Sequence, residues 1–289
     1  PPASRSAAAV GRPLMFRQRA GSSLCYRCGK LNRVDAAVCF YCGARRPGLW
    51  GFAPLTGRLV GALDFSKAVI AVCVALYVAS ILLDPAAALR GRSPFDLLPP
   101  DDRALVRLGM AGAAPWAAGW WWTLVTGMYL HGSLLHIVFN LLWVRQLAPA
   151  VEQLFGRSRL VVIYTAGGVL GFVLSNLVGI RFTLGASGAV FGLLGAMVAY
   201  GRSRGGAFGV AVLRQYGQWA LFMFIASFFL AGVNNWGHAG GFAGGYLAAL
   251  ALGHLERRPE RGVDRLVALA TVGLTALSFA VAIWNGFLR

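Results

Sequence analysis

Long apolar runs constrain what this chain can fold into more than any other feature of its sequence. Seven runs are long enough to cross a bilayer. They cover residues 66–83, 133–152, 159–180, 186–201, 217–233, 237–255 and 265–286. A backbone in hydrocarbon must satisfy its own hydrogen bonds, and runs of this length do so as helices. The sequence therefore predicts an all-α polytopic membrane protein, in agreement with 57% hydrophobic and only 13% charged residues.

Charge placement predicts the orientation of these spans. The first 60 residues contain no apolar run of signal-peptide length, so we expect the N-terminal segment to stay in the cytosol. The links that then face the cytosol are rich in arginine, namely Arg157, Arg159, Arg202, Arg204, Arg214, Arg257, Arg258, Arg261 and Arg265. The positive-inside rule thus predicts a cytoplasmic N-terminus and an extracytoplasmic C-terminus. Orientation and attraction to anionic lipid account for the net charge of +17, so nucleic acid is not an expected partner.

The segment 84–132 is too long for an ordinary turn between two spans. Four tryptophans lie near its end, at positions 116, 120, 121 and 122. Indole rings prefer the headgroup layer, where the ring is half buried and its N–H stays solvated. We expect an extracytoplasmic loop lying partly in the membrane interface. The segment could be an ordinary loop with an aromatic belt, or it could take part in handling substrate. The sequence leaves both alternatives open.

Four of the five cysteines form two matching knuckles, Cys25-x-x-Cys28-Gly29 and Cys39-x-x-Cys42-Gly43. Two intervening residues let both thiolates of a knuckle face one ion, and the glycine permits a left-handed backbone. Two such knuckles predict a small zinc ribbon over residues 21–48, with a structural Zn²⁺ bound by four thiolates. A basic disordered tail (1–20) would precede the ribbon and a linker (49–64) would follow it. Four unconnected cysteines are the alternative; a ribbon could dock a cytosolic partner or touch lipid headgroups with its basic flanks.

Polar residues at three places within or beside the apolar runs are costly there unless they are paired or meet water. They are His131, His136 and Asn140 at the start of the second run, Ser187 in the fourth, and His238 in the sixth. Each alone has an ordinary explanation as helix packing or as a polar group near the interface. Together they lie early in runs that all begin on the extracytoplasmic side. A serine activated by a histidine on a neighbouring helix would make a hydrolase, and glycines beside both residues would let the helices approach.

Linked motifs over residues 60–255 resemble the rhomboid intramembrane serine proteases. The motifs are His131-x4-His136-x3-Asn140, Val151-Glu152-x-x-Phe155-Gly156, Gly185-Ala186-Ser187-Gly188 and His238-x-x-Gly241-x3-Gly245. The resemblance implies a rhomboid-like bundle of six transmembrane helices over 65–256, with residues 257–289 adding a seventh helix. It implies that Ser187 is the nucleophile, His238 the general base, and His136, Asn140 and the Ser187 N–H the oxyanion hole. It further implies no cofactor for catalysis, transmembrane proteins as substrates, and a multi-pass location in a bacterial inner membrane.

Further residues would support this site. By the resemblance, Phe191 packs on the catalytic histidine where the family has tyrosine; ordinary helix packing is the other interpretation. His131, Gly185, Gly188 and Gly241 complete the motifs. Thr123 stands where the family often has an arginine, which leaves the anchoring of the long loop open.

Three other functions are open to such a sequence. A catalytically silent rhomboid-like protein would bind or escort membrane helices, but usually lacks the serine or the histidine. A transporter or channel would place paired charges at mid-membrane, and these runs have almost none. A membrane-tethered nucleic-acid-binding ribbon is compatible with any of these.

Overall fold

The computed structural model describes residues 17–53, 55, 64–91, 96–230, 232–253 and 260–288. The chain forms two compact units. One comprises Pro1–Leu59 with Arg261–Val263, and the other comprises Val60–Glu260 with Asp264–Arg289. The predicted disordered tail up to residue 16, and positions 54 and 56–63 of the predicted linker, lie outside the described residues.

The N-terminal unit contains one short antiparallel hairpin. Strand β1 (Ser22–Leu24) pairs with β2 (Leu31–Arg33), and Leu24 lies opposite Leu31. A 3₁₀ turn follows at Leu49–Gly51. The buried cluster of this unit consists of Cys25, Cys39 and Ala44. Such a small cluster buries little apolar surface in the described part of this unit.

The larger unit is helical. Its α-helices, in chain order, are α1 (Phe65–Leu83), α2 (Pro85–Ala88), α3 (Asp102–Arg107), α4 (Ala113–Ala117), α5 (Thr123–Thr126), α6 (Leu134–Phe155), α7 (Arg157–Leu177), α8 (Ser187–Arg204), α9 (Gly206–Ser227), α10 (Asn235–Ala251) and α11 (Gly262–Ile283). A 3₁₀ turn at Gly127–Tyr129 follows α5, and a π-helical turn at Trp284–Leu288 continues α11.

Seven long helices of the larger unit correspond in order to the seven predicted apolar runs. Among the residues that the structure describes, four helices are long and apolar enough to cross a membrane: Phe65–Leu83, Leu134–Phe155, Arg157–Leu177 and Gly262–Leu288. Helix α9 differs most from prediction, because it begins at Gly206 rather than at residue 217. Glycines and Arg214 make its first turns look unlike a membrane span. In the structure these turns are helical, and Gly209 packs against the backbone of Gly201 on α8.

Polar side chains cap the starts of three long helices. Asp64 accepts a hydrogen bond from the Lys67 N–H at the start of α1, and its side-chain bond to Lys67 lowers the pKa of Asp64 to about 2. Ser133 accepts one from the His136 N–H, and Asn234 accepts one from the Gly237 N–H. Each cap satisfies an N–H group that the first helical turn leaves without an intrahelical partner.

The core of the larger unit lies around α8, between α7 and α10. Every residue of α8 from Gly188 to Met197 is buried. Helices α1 and α11 are peripheral, with exposed apolar side chains such as Leu82, Val78 and Leu277. A helix that is apolar on its outer face suits a lipid environment.

Charged groups join the start of α7 to the segment that begins α11. The Glu260 carboxylate accepts hydrogen bonds from the Ser158 N–H at 2.6 Å and from the Ser158 hydroxyl at 3.0 Å. Glu260 therefore caps α7 from 102 residues away in sequence. Arg159 and Asp264 form a buried ion pair at 2.8 Å.

Candidate active site

Ser187 is the first residue of α8 and follows a tight turn. Gly185 in that turn has φ +115°, a conformation that side chains disfavour. Its N–H donates to the Gly127 carbonyl at 2.9 Å, which fixes the chain two residues before the serine. The first N–H groups of a helix have no intrahelical acceptor. The Ser187 hydroxyl is therefore presented beside free backbone donors.

The long loop holds the chain that leads into Ser187. The Ala113 N–H donates to the Ile180 carbonyl at 2.8 Å, and the Thr183 N–H donates to the Ala111 carbonyl at 2.8 Å. Ala111 and Thr183 form an isolated antiparallel bridge. The sequence left the role of this loop open, and the structure shows that it fixes the backbone before the serine.

His238 lies one turn inside α10 and contacts the serine directly. Its Nε2 is 2.9 Å from the Ser187 Oγ, a hydrogen-bonding distance. The Phe191 ring stacks on the imidazole with centroids 4.3 Å apart and planes 19° apart. His238 Nδ1 is buried and has no hydrogen-bond partner within the described residues. The contact is thus a serine–histidine pair without an acidic third member in the described part of the chain.

Glycines bring three helices into backbone contact around this pair. A Cβ placed on Gly241 of α10 would lie 2.1 Å from the Gly188 carbonyl oxygen of α8. A Cβ on Gly171 of α7 would lie 2.6 Å from the Gly237 oxygen, and one on Gly192 would lie 2.7 Å from the Gly167 Cα. The sequence indicated the glycines of α8 and α10. It missed the contribution of α7, whose glycines complete the same contact.

His136 lies against the turn before the serine. Its Nδ1 accepts a hydrogen bond from the Gly132 N–H at 3.3 Å, so its ring proton is assigned to Nε2. That Nε2 faces Gly185, since a Cβ placed on Gly185 would be 2.6 Å from it. Asn140, one turn further along α6, is 6% exposed and donates from Nδ2 to the His136 carbonyl at 2.9 Å. An imidazole N–H is thus directed at the serine turn.

His131 precedes α6 rather than lying within it. The side chain is fully buried, and its ring meets the His136 ring edge-on with centroids 5.1 Å apart. Neither ring nitrogen has a hydrogen-bond partner among the residues that the structure describes. Its described contact with the site is therefore packing against His136.

Asn234 is a site residue that the sequence reasoning missed. Its Nδ2 donates to the Ser175 hydroxyl at 2.7 Å and to the Thr183 hydroxyl at 2.9 Å, while its Oδ1 caps α10. One side chain thus connects α7, the chain before Ser187 and the turn that carries His238. An asparagine within a few residues before an apolar run is a capping signal that could have identified it.

The four knuckle cysteines converge in the N-terminal unit. Their Sγ atoms all lie within 4.8 Å of one another. Cys25 and Cys42 are 3.8 Å apart, and Cys28 and Cys39 are 3.6 Å apart. A tetrahedral zinc site with Zn–S bonds of about 2.3 Å has sulfur–sulfur edges of about 3.8 Å. Gly29 and Gly43 both have positive φ, at +72° and +69°, so each knuckle has the predicted backbone. The donor set fits zinc in number, type and spacing.

A known family matches the region that contains the serine–histidine pair, and known proteins resemble parts of the chain. The family model described as Rhomboid domain matches residues 118–255. The rhomboid protease GluP of Bacillus subtilis is 35% identical over 178 residues, which cover 60% of this chain and 34% of GluP. YdcA of the same organism, whose name also includes the words rhomboid protease, is 31% identical over 147 residues. That match covers 49% of this chain and 73% of YdcA.

A fungal relative extends the comparison beyond bacteria. Rhomboid-type serine protease 2 of Emericella nidulans is 32% identical over 171 residues, which cover 57% of this chain and 33% of the relative. The chain therefore spans about a third of the length of two of these relatives and nearly three quarters of YdcA. Its apolar helices and these matches make it an integral multi-pass membrane protein with a rhomboid-like helical bundle. The chain belongs to the rhomboid family.

Proposed function

We propose that this chain is an intramembrane serine endopeptidase that cleaves transmembrane helices of other membrane proteins. The observation that carries the proposal is the 2.9 Å contact between Ser187 Oγ and His238 Nε2. A serine hydroxyl is a weak nucleophile until a base removes its proton, and an imidazole at this distance is such a base. The relatives named as rhomboid or serine proteases support the same activity.

The proposed reaction has two halves. In the first, His238 Nε2 takes the Oγ proton as Ser187 attacks the peptide carbonyl, and then gives it to the leaving amine as the C–N bond breaks. In the second, His238 takes a proton from water, the resulting hydroxide attacks the acyl ester, and the proton returns to Ser187 Oγ. The imidazole must keep its orientation through both halves. The stacked Phe191 ring supports that orientation. These residues perform the reaction without a cofactor.

We assign the oxyanion hole to the Ser187 N–H, the His136 Nε2–H and the Asn140 amide. The His136 N–H is directed at the turn that carries the serine, and Ser187 begins a helix. Asn140 uses one amide proton on the His136 carbonyl, and the second is left for an oxyanion. Losing one such donor typically costs about 3 kcal/mol of transition-state stabilisation.

The experiment is cleavage of a reporter protein with one transmembrane helix, in proteoliposomes. Ser187→Ala should abolish cleavage and labelling by a fluorophosphonate. Ser278→Ala is the matched control, because Ser278 is a buried serine that bonds only the Leu274 carbonyl of its own helix in the described residues. It should retain both activities. Cleavage by Ser187→Ala would refute the assignment. If the unsubstituted chain binds the reporter but neither cleaves it nor reacts with the fluorophosphonate, the chain is a catalytically silent helix binder.

We propose that the four cysteines of residues 21–48 bind one structural Zn²⁺. Four thiolates close the coordination sphere, so the ion would fold the ribbon without taking part in hydrolysis. Elemental analysis of the purified chain should give one zinc per molecule. Cys42→Ser should lower zinc content, whereas Cys73→Ser, which alters the buried cysteine of α1, should not change it.

We propose seven spans, with residues 65–256 as the six-span core and 257–289 as the additional span, in a bacterial inner membrane. The proposed N-terminus is cytoplasmic and the C-terminus extracytoplasmic. The turn at Trp284–Leu288 supports an odd number of spans, since Gly286 packs against the Arg107 carbonyl of the long loop. The C-terminal end is thus at the same end of the bundle as that loop. Reporter fusions after residues 53 and 288 should give opposite locations.

A further inference from the structure

The N-terminal unit exposes apolar side chains that its own small core does not use. We call the set formed by Leu24, Leu31, Val38, Phe40 and Tyr41 the ribbon surface; these side chains are 51, 61, 53, 91 and 60% exposed. Leu24 and Leu31 face each other across the hairpin. The Phe40 N–H bonds to the side chain of Asn32, next to Leu31, and the rings of Phe40 and Tyr41 meet edge-on. A phenylalanine exposed to 91% at the tip of a knuckle is poorly explained by packing within this unit.

The same unit is strongly basic. Within residues 17–53 the only acidic side chain is Asp35, which already pairs with Arg33 at 2.8 Å. The basic side chains are all exposed: Arg17, Arg19, Arg27, Lys30, Arg33, Arg45 and Arg46. Zinc bound by four thiolates would add a charge of only about −2. The ribbon surface therefore lies in a unit with a clear net positive charge.

The chain also tethers this unit to a bilayer. Ala53 is eleven residues before Asp64, which caps the first membrane-crossing helix. Eleven residues span at most about 40 Å when fully extended. The unit therefore stays near one leaflet whatever else it meets, and the local concentration of headgroups around it is high.

We propose that the ribbon surface binds the anionic phospholipid surface of the leaflet at which α1 begins. Phe40 and Tyr41 enter the boundary between headgroups and acyl chains, and the basic side chains contact lipid phosphates. Single-stranded RNA would also attract basic and aromatic groups. The aliphatic members Leu24, Leu31 and Val38 favour lipid, because they bury apolar area in a membrane and offer no ring for a base to stack on.

The test uses the full chain in nanodiscs, with Phe40→p-azidophenylalanine as a photocross-linker. This position is 91% exposed, so the azide leaves the fold undisturbed, and equal resistance of the cysteines to alkylation verifies this. In nanodiscs of phosphatidylcholine with 30 mol% phosphatidylglycerol, the tryptic peptide 34–45 should carry a phospholipid adduct. One basic side chain near an anionic surface changes the partitioning of a protein onto the membrane about fivefold. Nanodiscs of phosphatidylcholine alone should therefore give at least about fivefold less adduct than nanodiscs that contain phosphatidylglycerol.

A matched pair of variants separates the ribbon charges from the overall charge of the protein. Arg27→Gln with Lys30→Gln removes two basic groups of the N-terminal unit and should reduce the adduct at least about fivefold. Arg202→Gln with Arg214→Gln removes the same charge from α8 and α9 and should leave it unchanged. Absence of a lipid adduct, equal adducts in both lipid compositions, or adducts with RNA or another protein instead of lipid in native membrane vesicles would each overturn the proposal.

Discussion

Replacing Gly241 by alanine should abolish the proposed peptidase activity although it removes none of the proposed catalytic groups. Gly241 lies on α10 three residues after His238, and its partner Gly188 follows Ser187 on α8. A Cβ on Gly241 would be 2.1 Å from the Gly188 carbonyl oxygen, whereas ordinary van der Waals contact begins at 3.4 Å. The obstructing atom belongs to the backbone, so it cannot rotate away. Helices α8 and α10 must separate by about 1.3 Å to relieve the contact.

This separation acts directly on the contact between Ser187 and His238, the proposed catalytic pair. The Ser187 Oγ and His238 Nε2 are 2.9 Å apart, and adding the displacement puts them about 4 Å apart, beyond hydrogen-bonding distance. A misplacement of about 1 Å can cost on the order of a hundredfold in rate. We therefore expect kcat/KM to fall by at least about a hundredfold, equivalent to about 2.7 kcal/mol.

The assay is cleavage of the transmembrane reporter, together with the rate of fluorophosphonate labelling and a thermal unfolding curve. The unfolding curve distinguishes a displaced dyad from a chain that has not folded. Gly217→Ala on α9 is the matched control, since a Cβ there meets nothing within 4 Å. It should keep full activity and gain up to about 1 kcal/mol of helix stability. A folded Gly241→Ala protein that cleaves the reporter as fast as the unsubstituted chain would refute the reasoning.

Three further predictions follow from contacts around the site and the core. Phe191→Ala removes the ring stacked on His238 and should slow cleavage and fluorophosphonate labelling up to about tenfold, whereas Phe191→Tyr should preserve both rates. Equal rates for the unsubstituted chain and both variants would exclude a role of the ring in positioning His238. Asn234→Ala removes a helix cap and two hydrogen bonds, so thermal unfolding should show a loss of at least about 1 kcal/mol, with reduced cleavage. Asp264→Ala removes the carboxylate that pairs with the buried Arg159 guanidinium at 2.8 Å and should cost about 3–5 kcal/mol in the same thermal unfolding measurement. Replacing both residues by leucine should recover most of that loss, and a single variant as stable as the double variant would contradict this.

The long helices were well predicted from the sequence because a segment that crosses the hydrocarbon layer must be long, apolar and internally hydrogen-bonded. Each apolar run became a long helix, since no other local structure satisfies the backbone there. The start of α9 was missed because glycines and Arg214 interrupt the apolar pattern, and the packing of Gly209 against α8 is a tertiary contact that no local pattern indicates. The short helices of the long loop, with four to six residues each, are too short to produce a periodic signal.

The proposed catalytic residues could be recognised in the sequence because they interrupt the apolar pattern. Ser187 and His238 are polar groups in segments where an apolar side chain has the lower free energy of insertion, so each requires an explanation. The capping network of Asn234 was missed because its partners Ser175 and Thr183 are distant in sequence and ordinary in type. The convergence of the four cysteines could be predicted, since the spacing within and between the two knuckles allows all four thiols to face one point.

The glycine contacts of α7 determine which mutations can reveal their contribution to the proposed active site. An alanine scan looks for function by removing side chains, and Gly167 and Gly171 have none to remove. What these positions contribute is the absence of a side chain, which allows α8 and α10 to pack closely enough for Ser187 and His238 to meet. Part of the proposed active site therefore escapes detection in any screen that only deletes atoms. It can be detected by adding a single methyl group.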